Sequence, residues 1–593
     1  MVAWAVSNFG GMIPKQDPRL LAPNMAEAAV NCDLASGPLD GLPQLEFVVD
    51  LAAQAPWPVR KAYRIPNPTP GGPDVWLPLP SEFSSVVRSP LTNDTLNRYY
   101  WTNPQGQPAA GVWWNTYARI AAGNTGANAP WNLGFIAPDP GIQISVTPAG
   151  GDTTVPAIVR AYCFTYIDQY GLESSPSLPS APTYGQADGT WTVTGMPGTA
   201  PGNTGALVFP AVANMRLYRT ITGASTGAQF YYVADIPFDG TGTYVDTIQD
   251  TTVVNNNVLI TASWGPPLQT MDGMTAVAGG MLIAFSGNTI HFCEPDYPHT
   301  WPAGYDVSVI YPIVGLAIWQ QSLVVLTQGY PAIGSGATPD TFTFSQLQAP
   351  EPCIARGSII TDLAGVYYAS QNGLIMLSYY GMINQTLSNM TKNIWLTEFE
   401  AATLIACRHR SQYLALTASG NGFLIDYSDQ RMGVTQTMPF GDAATALWND
   451  VYTGNAYVAV DGEIYLWDSP DTPSQVFRWR SKQFYLPAPA SLGACQVSLD
   501  SSVADAAPPA TFVSQPDDIP DGMNLPPGIN ALFRLFAGPE GKNLVHEQFL
   551  QQPREIFRLP SGRKVFCYQF EILSRVPVHS VELASTMREL KKV

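Results

Sequence analysis

Residues 279–293, GGMLIAFSGNTIHFC, combine an apolar strand, a glycine turn and a second strand. The same pattern returns four times along the chain, as QSLVVLTQGYPAIGS (321–335), GVYYASQNGLIMLS (365–378), QYLALTASGNGFLIDYS (412–428) and AYVAVDGEIYLWDS (456–469). The five turn glycines are 42, 44, 49 and 40 residues apart: Gly287, Gly329, Gly373, Gly422 and Gly462. A period near this length is typical of the four-stranded blade of a β-propeller. A β-sandwich with similar hairpin spacing is the alternative, and five units at a near-constant period favour the propeller.

The five turn glycines supply the positive φ that tight hairpin turns require. Blade-like strands also occur upstream. They are KAYRI (61–65), DVWLPL (74–79), FSSVVRS (83–89) and NRYYWTN (97–103). We therefore assign residues 51–140 to the first propeller blade or blades and residues 266–475 to the others. A blade near the N-terminus is expected to meet the last one, which protects the sheet edges.

The remaining segments complete an all-β organisation. Residues 141–265 hold alternating strands, and YGLESSPS (170–177), RLYRT (216–220) and TYVDT (243–247) resemble a fibronectin type III module inserted in the propeller. Residues 476–593 predict a C-terminal β-sandwich domain. Residues 1–50 predict an N-terminal arm with a short helix, because Asn24 and Glu27 match a capping box. Residues 8–23 are expected to lie across the chain's own propeller or a neighbouring subunit.

The charge composition bears on whether the chain can bind DNA. Only 13% of the residues are charged, and the net charge of −17 reflects 29 Lys and Arg against 46 Asp and Glu. An acidic chain is not expected to wrap DNA around itself, because binding of the phosphate backbone needs clustered cations. An acidic surface is nevertheless compatible with DNA that slides past it.

Targeting and redox signals are sparse. Gly10, Gly11 and Pro14 interrupt the only apolar stretch before Lys15, so no signal peptide of the usual pattern is expected. No run of about 18 apolar residues predicts a membrane span. Seven scattered cysteines without a CxxC pair predict reduced, buried thiols in a protein made in a cytoplasm.

The most site-like stretch is HFCEPDYPHTW (291–301). On a strand, His291 and Cys293 share a face, and His299 could return across a turn to form a zinc-like set beside Glu294 and Asp296. The alternative is the outer strand of a blade that leaves through a proline-rich corner. The lack of a second ligand pair favours this alternative.

Two further clusters carry charge. In CRHR (407–410), Arg408 and Arg410 share one strand face and Cys407 and His409 the other, which favours a solvated or interface-facing pair over an anion site. In TEFE (397–400), two glutamates would lie about 6–7 Å apart on a strand.

A glycan-hydrolysing propeller would need such carboxylates. Besides Glu398 and Glu400, Asp188 in ADGTW (187–191) faintly echoes an aspartate box, in a single copy. Such acids usually face solvent. The sequence also lacks GxxxxGK[ST], a GxGxxG after a strand, GxSxG and HExxH. We therefore predict no catalytic residues, no cofactor-binding residues, no metal site, no cofactor and no enzyme activity.

Two blocks resemble a known family. NFGGMIPKQDPRLLAPNMAEAAVNCDLASGPLDGL (8–42) resembles the start of the tail nozzle proteins, or tail tubular protein B, of short-tailed bacteriophages. In that family a Gly-Gly pair, a prolyl turn and an Arg-Leu-Leu-Pro run precede a Gly-Leu turn. Residues 279–336 and 353–374 are similar to a widespread family of phage virion proteins, through SGN, EP, PHTWP and IVGL in that order.

The resemblance implies a structural virion protein of the phage tail. It implies a homo-oligomeric ring, typically a hexamer, below the adaptor that joins the portal to the tail. The ring's channel would retain the genome and conduct viral DNA during ejection, and tail fibres or spikes are further possible partners. The alternative function is a host-surface-binding or glycan-active propeller protein of the phage tail.

Overall fold

Strands dominate this computed structural model, and its helices are short. The structure describes residues 3–35, 37–203, 206–221, 229–277, 279–427, 433–437, 444–500, 525, 529–560, 562 and 564–590. Within these ranges the α-helices are α1 (Tyr117–Ala121), α2 (Asp250–Val253), α3 (Lys392–Thr397) and α4 (Met587–Leu590). No helix within these ranges is long and apolar enough to cross a bilayer.

The strands follow one another closely along the chain. Up to residue 132 they are β1 (Ala3–Val6), β2 (Ala26–Val30), β3 (Cys32–Asp33), β4 (Asp40–Gly41), β5 (Glu46–Asp50), β6 (Lys61–Ile65), β7 (Val75–Leu79), β8 (Ser85–Arg88), β9 (Arg98–Asn103), β10 (Gly111–Thr116) and β11 (Trp131–Asn132). From residue 145 to 246 they are β12 (Ser145–Ala149), β13 (Ala157–Arg160), β14 (Tyr162–Asp168), β15 (Thr183–Gln186), β16 (Thr190–Thr194), β17 (Val212–Thr220), β18 (Phe230–Pro237) and β19 (Tyr244–Asp246).

The later strands contain the five predicted hairpins. From residue 272 to 346 they are β20 (Asp272–Val277), β21 (Met281–Ser286), β22 (Thr289–Phe292), β23 (Val307–Ser308), β24 (Ile313–Trp319), β25 (Ser322–Thr327), β26 (Ala332–Ser335) and β27 (Thr343–Gln346). From residue 360 to 466 they are β28 (Ile360–Asp362), β29 (Gly365–Ser370), β30 (Gly373–Ser378), β31 (Gly381–Asn384), β32 (Ile405–His409), β33 (Gln412–Leu416), β34 (Gly422–Asp426), β35 (Val434–Thr437), β36 (Ala444–Asn449), β37 (Ala456–Val460) and β38 (Glu463–Leu466).

The C-terminal strands are longer. They are β39 (Phe477–Ser481), β40 (Phe484–Ala490), β41 (Ala494–Leu499), β42 (Ala531–Ala537), β43 (Asn543–Leu550), β44 (Arg554–Arg558), β45 (Val565–Ser574) and β46 (Val578–Ala584).

The predicted hairpins are confirmed as strand pairs, and they form the inner pair of four-stranded antiparallel meanders. Such meanders are β8–β11, β20–β23, β28–β31 and β32–β35, and a further one adds β5 to β36–β38. This is the strand order of a propeller blade. Gly287, Gly373 and Gly462 adopt positive φ at their turns, as predicted. Gly422 does not: it begins a strand where an added Cβ would lie 2.2 Å from Thr437 Oγ1.

The chain divides into two compact units. One comprises Met1–Phe83, Ala317–Ile333 and Ser345–Val593, and the other Ser84–Leu316 and Gly334–Phe344. In the first unit a single N-terminal strand, β5, completes the last meander through antiparallel pairing with β38. The edge is thus closed by one strand, where the sequence predicted the meeting of two blades.

The predicted N-terminal helix is wrong. Ala26–Val30 is strand β2, which pairs antiparallel with β39, with Ala29 opposite Trp479. Ala26, Ala29 and Val30 are buried in that position. Burial between distant strands outweighs the intrinsic helix preference of an Ala-rich segment. Asn24 does not cap a helix, and its carbonyl accepts the Gly10 N–H at 2.7 Å.

Residues 8–23 lie against their own chain. Phe9 is buried edge-to-face on Trp479, with 5.0 Å between ring centroids. The Trp479 indole N–H donates to the Gly10 carbonyl at 2.9 Å. Met12 exchanges two backbone hydrogen bonds with Val434, at 2.8 and 2.9 Å. The described part of this segment therefore packs on its own chain, and a contact with a neighbouring subunit stays a prediction.

The C-terminal strands form the predicted sandwich. One sheet has the order β1-β46-β41-β44, and β39-β45-β42-β43 continue a ten-stranded sheet in which β40 also pairs with β45. Phe533 and Ile572 from one sheet share a core with Val497 and Leu583 from the other. The N-terminal strands β1 and β2 belong to these sheets, so the arm is part of the sandwich. The predicted domain boundaries stay a prediction.

The segment between residues 141 and 265 also builds two facing sheets. Their strand orders are β12-β16-β19 and β14-β17-β18, with β13 and β15 paired beside them. Tyr162 and Phe164 of β14 share a core with Trp191 and Val193 of β16. Two sheets with a shared core are therefore present here, whereas the inserted fibronectin type III-like sandwich stays a prediction.

The cysteines bear out one expectation. All seven thiols are free and buried, as predicted. Burial raises the pKa of Cys163 and of Cys353 to about 12. These thiols are therefore protonated at neutral pH and behave as small apolar side chains.

Candidate functional site

His291 is the central member of a three-residue relay. Its Nε2 lies 2.7 Å from Ser286 Oγ, and its Nδ1 lies 2.8 Å from Asp306 Oδ1. The order hydroxyl, imidazole, carboxylate matches that of a hydrolase triad. Here, however, Ser286 ends β21, His291 lies on β22 and Asp306 precedes β23. The relay therefore ties three consecutive strands of one meander together, and we interpret it as a structural contact.

The zinc-like set, which the sequence offered as the less favoured alternative, does not assemble. His299 lies apart from the relay, and its Nε2 contacts the Glu173 carbonyl at 3.0 Å. Cys293 Sγ accepts the Leu282 N–H at 3.0 Å, and burial raises the pKa of this thiol to about 12. Across the residues that the structure describes, no three His, Cys, Asp or Glu side chains are grouped to hold a metal ion.

His299 lines a small pocket. Phe135, Ser175 and Trp264 are among the other lining residues, and the Trp264 ring meets the imidazole edge-to-face at 5.4 Å. His299 is 4% exposed, and desolvation lowers its pKa to about 4. The imidazole is therefore neutral at pH 7, with its Nε2–H donated to the Glu173 carbonyl.

The CRHR residues form ion pairs. Arg408 Nη1 lies 2.8 Å from Asp362 Oδ1. Arg410 contacts Asp33 at 3.1 Å and Asp468 at 2.8 Å. Burial lowers the pKa of His409, and the Asp468 carboxylate opposes that shift. The guanidinium groups are thus satisfied by carboxylates of their own chain, which supports the charge-pair interpretation over an anion site.

The acidic candidates lie apart from any strand face. Helix α3 ends at Thr397, so Glu398 follows a helix and the predicted strand is wrong. Glu400 has φ 44°, and its carboxylate accepts the Ser419 N–H at 3.1 Å. Asp188 accepts the Asp152 N–H at 3.1 Å. Each of these two carboxylates has a backbone partner in a turn, so their positions are explained by local structure.

The most unusual surface feature is a set of bare apolar side chains at turns. Leu363 is 92% exposed between β28 and β29, and Tyr379 and Tyr380 are 84% and 92% exposed between β30 and β31. Val451 is 75% and Tyr452 39% exposed between β36 and β37. We call these five residues the turn-edge residues.

These turns lie at one edge of neighbouring sheets. Asp362 is opposite Gly365 and Ser378 is opposite Gly381, so both turns of this meander lie at the same end. Arg408, near the end of β32, contacts Asp362 at the end of β28 through the 2.8 Å ion pair. Its N–H also donates to Asn449, the last residue of β36, at 2.7 Å. The first strands of the three meanders therefore end side by side.

Ordered turns hold these side chains outward. Gly381 adopts φ 108°, and Ser378 Oγ donates to the Gly381 carbonyl at 3.1 Å. In the other turn, the Asp450 carboxylate accepts the Thr453 N–H at 2.9 Å, and Gly454 has φ 75°. The exposure of the apolar side chains therefore follows from built turn geometry.

Neither the relay nor the turn-edge residues were predicted from the sequence. The two-residue turn at Gly287 and Asn288 implies the hairpin register that brings Ser286 near His291, so part of the relay was readable. The Tyr-Tyr-Gly run at 379–381 is an apolar pair at a turn position, which is also a readable signal. Asp306 was not readable, because it enters from a separate loop.

Comparisons with known proteins give structural neighbours only. No family model matches the chain, and no curated protein matches it. The WD40 domain of Neurospora crassa Pan2 has a TM-score of 0.26 and 10% identity, covering 49% of this chain and 85% of that one.

Two other solved structures are comparably distant. A structure of BBS1N in complex with ARL6DN has a TM-score of 0.23 and 12% identity, covering 48% of this chain and 86% of that one. Hsv2 from Kluyvelomyces marxianus has a TM-score of 0.23 and 6% identity, covering 49% and 72%. Likenesses this distant say nothing about the function of the chain.

Proposed function

We propose that the chain is a structural virion protein, the nozzle at the distal end of a short phage tail. Copies of the chain would form a homo-oligomeric ring, a hexamer by resemblance, whose channel retains the genome and conducts DNA during ejection. The ring would bind the tail adaptor and portal complex and could carry fibres or spikes. The protein would reside in the virion after synthesis in the host cytoplasm.

The resemblance of residues 8–42, 279–336 and 353–374 to phage tail proteins is the observation that carries this proposal. The organisation of the described residues supports it. Four-stranded meanders recur through the segment from 272 to 466, and residues 8–42 lead into the strand that completes the last of them.

The charge balance supports a channel role. A net charge of −17 on a chain with 13% charged residues leaves acidic groups in excess and cations scarce. Arg408 and Arg410, the strongest basic candidates, are engaged by carboxylates. An acidic lumen repels phosphate, so a duplex can slide without adhering.

Light scattering on the purified full-length chain tests the proposal. The nozzle function predicts a large oligomer whose negative-stain images show rings, with no glycan cleavage. A monomer at all concentrations that binds or cleaves host-surface glycans would overturn it and would favour the alternative propeller function. The variants Glu398→Gln and Glu400→Gln should leave ring formation unchanged, because neither carboxylate belongs to the proposed role.

A further inference from the structure

We propose that the turn-edge residues insert into a lipid bilayer surface of zwitterionic headgroups. The inference stands on the exposure of these side chains and does not depend on ring assembly. Leu363, Tyr379, Tyr380 and Val451 are all at least 75% exposed. Isolated apolar side chains on a protein surface are ordinary, whereas several at one edge mark an interaction site.

The side-chain chemistry fits a bilayer interface. A tyrosine ring has an apolar body and a polar tip, so it is stable where hydrocarbon meets water. Tyr379 and Tyr380 meet edge-to-face at 5.9 Å on one turn tip, and Tyr452 lies 6.5 Å from the ring of Tyr63 on another. Leu363 and Val451 supply purely apolar tips beside them.

The geometry favours lipid over a protein partner. A stable protein interface needs a continuous surface of roughly 800 Å² on each side. The turn-edge residues occupy three separate turns, and the polar turn that begins at Arg410 follows the neighbouring strand β32. A fluid bilayer accepts separated tips, since headgroups and chains rearrange around each of them.

The electrostatics select the lipid class. At this edge Arg408 pairs with Asp362, Arg410 with Asp468, and Arg64 with Asp450 at 2.9 Å. The chain as a whole carries −17. Anionic headgroups would be repelled and would find these cations engaged, so a neutral, zwitterionic surface is the better match.

The ordered turns lower the entropic cost of inserting these side chains into a bilayer surface. Gly381 at φ 108° and the Asp450 bonds to Thr453 fix the tips in their exposed positions before binding. Little conformational entropy is then lost when the tips enter the interface. The tips act as preformed anchors that enter the headgroup region by roughly 5–10 Å.

Flotation of the full-length protein with phosphatidylcholine vesicles tests this proposal. The wild-type chain should float, equally at about 0.15 M and about 0.5 M NaCl, because apolar insertion is insensitive to charge screening. The double variant Tyr379→Ser/Tyr380→Ser should lower the partition coefficient about tenfold or more, since two apolar rings are removed. Tyr184→Ser is the matched control, because Tyr184 is a 74% exposed tyrosine outside the turn edge.

A second measurement guards against a folding defect. In Tyr380→Trp, phosphatidylcholine brominated along its acyl chains should quench the added indole beyond the quenching of the wild-type tryptophans. Absence of flotation, equal loss in the Tyr184 control, or binding only to anionic vesicles at low salt would each overturn the proposal. Unchanged flotation with a dissociated oligomer in the double variant would instead assign the edge to a protein partner.

Discussion

The inner hairpins and the N-terminal segment achieve burial in opposite ways. In the hairpin of β21 and β22, each strand meets a partner across a two-residue turn, and Ile283 lies opposite Phe292. The segment from Phe9 to Val30 meets partners more than 400 residues away, such as Trp479 and Val434. Each hairpin sheet can form from residues that are close in sequence. The N-terminal segment, in contrast, becomes buried only when the two ends of the chain meet.

The largest effect is expected from the distant contacts. Phe9→Ala should lower the free energy of unfolding of the C-terminal sandwich by about 3–5 kcal/mol, because it leaves a cavity against Trp479. Hydrogen exchange at the amides of β39 measures this change. The control is Leu20→Ala in the same segment, where a 78% exposed side chain should matter by under about 0.5 kcal/mol. Equal protection of β39 in both variants would mean that the segment is only a surface arm.

The buried contact between His299 and the Glu173 carbonyl should make the free energy of unfolding depend on pH. The pKa of His299 is about 4 in the folded chain, below the ordinary value of 6.5. The unfolded chain therefore binds more protons between these values, and stability falls as the pH drops from 6.5 to 4, by up to about 3 kcal/mol. Asp168 has the opposite effect on stability, because burial raises its pKa to about 6. The folded chain then binds more protons at this carboxyl than the unfolded chain does, so its contribution to stability rises as the pH falls.

The variant His299→Gln separates the effect of His299 on stability from that of Asp168. His299→Gln should remove the loss of stability at acidic pH, leaving the slope of opposite sign from Asp168. Chemical denaturation at a series of pH values measures both slopes. An unchanged acid slope in His299→Gln would contradict the burial of a neutral imidazole at this position.

A smaller effect is expected within one inner hairpin. Gly462 has φ 88°, and an added Cβ would lie 3.0 Å from Ala52. Gly462→Ala should cost about 2 kcal/mol, confined to the meander that β5 completes, because the backbone is strained and the neighbour is close. Hydrogen exchange at β37 and β38 measures it. Gly304→Ala, with open space around its Cβ position, is the matched control and should be neutral.

The smallest effect is expected from the relay. Ser286→Ala removes the hydroxyl that lies 2.7 Å from His291 and should cost about 1 kcal/mol of local stability. Ser145→Ala, at an exposed strand position, serves as the control. Ester hydrolysis by the wild-type chain that disappears in Ser286→Ala would show that the relay is catalytic and would overturn its structural interpretation.

These contrasts explain what the sequence could predict. The hairpins around Gly287, Gly373 and Gly462 were readable, because their turn and their partner strand lie within one short window. Ala26–Val30 was misread as a helix, because the local pattern is helical and the deciding partner, β39, is distant. The ion pairs of Arg408 and Arg410 were readable only as a charged face, since Asp362 and Asp33 come from other elements.

Imaging of an intact phage particle that carries a gold-labelled copy of this chain tests the central proposal most directly. We expect label at the distal end of a short tail, arranged as a ring around the DNA channel. Label on peripheral fibres, or a particle that assembles and ejects DNA without the chain, would contradict it.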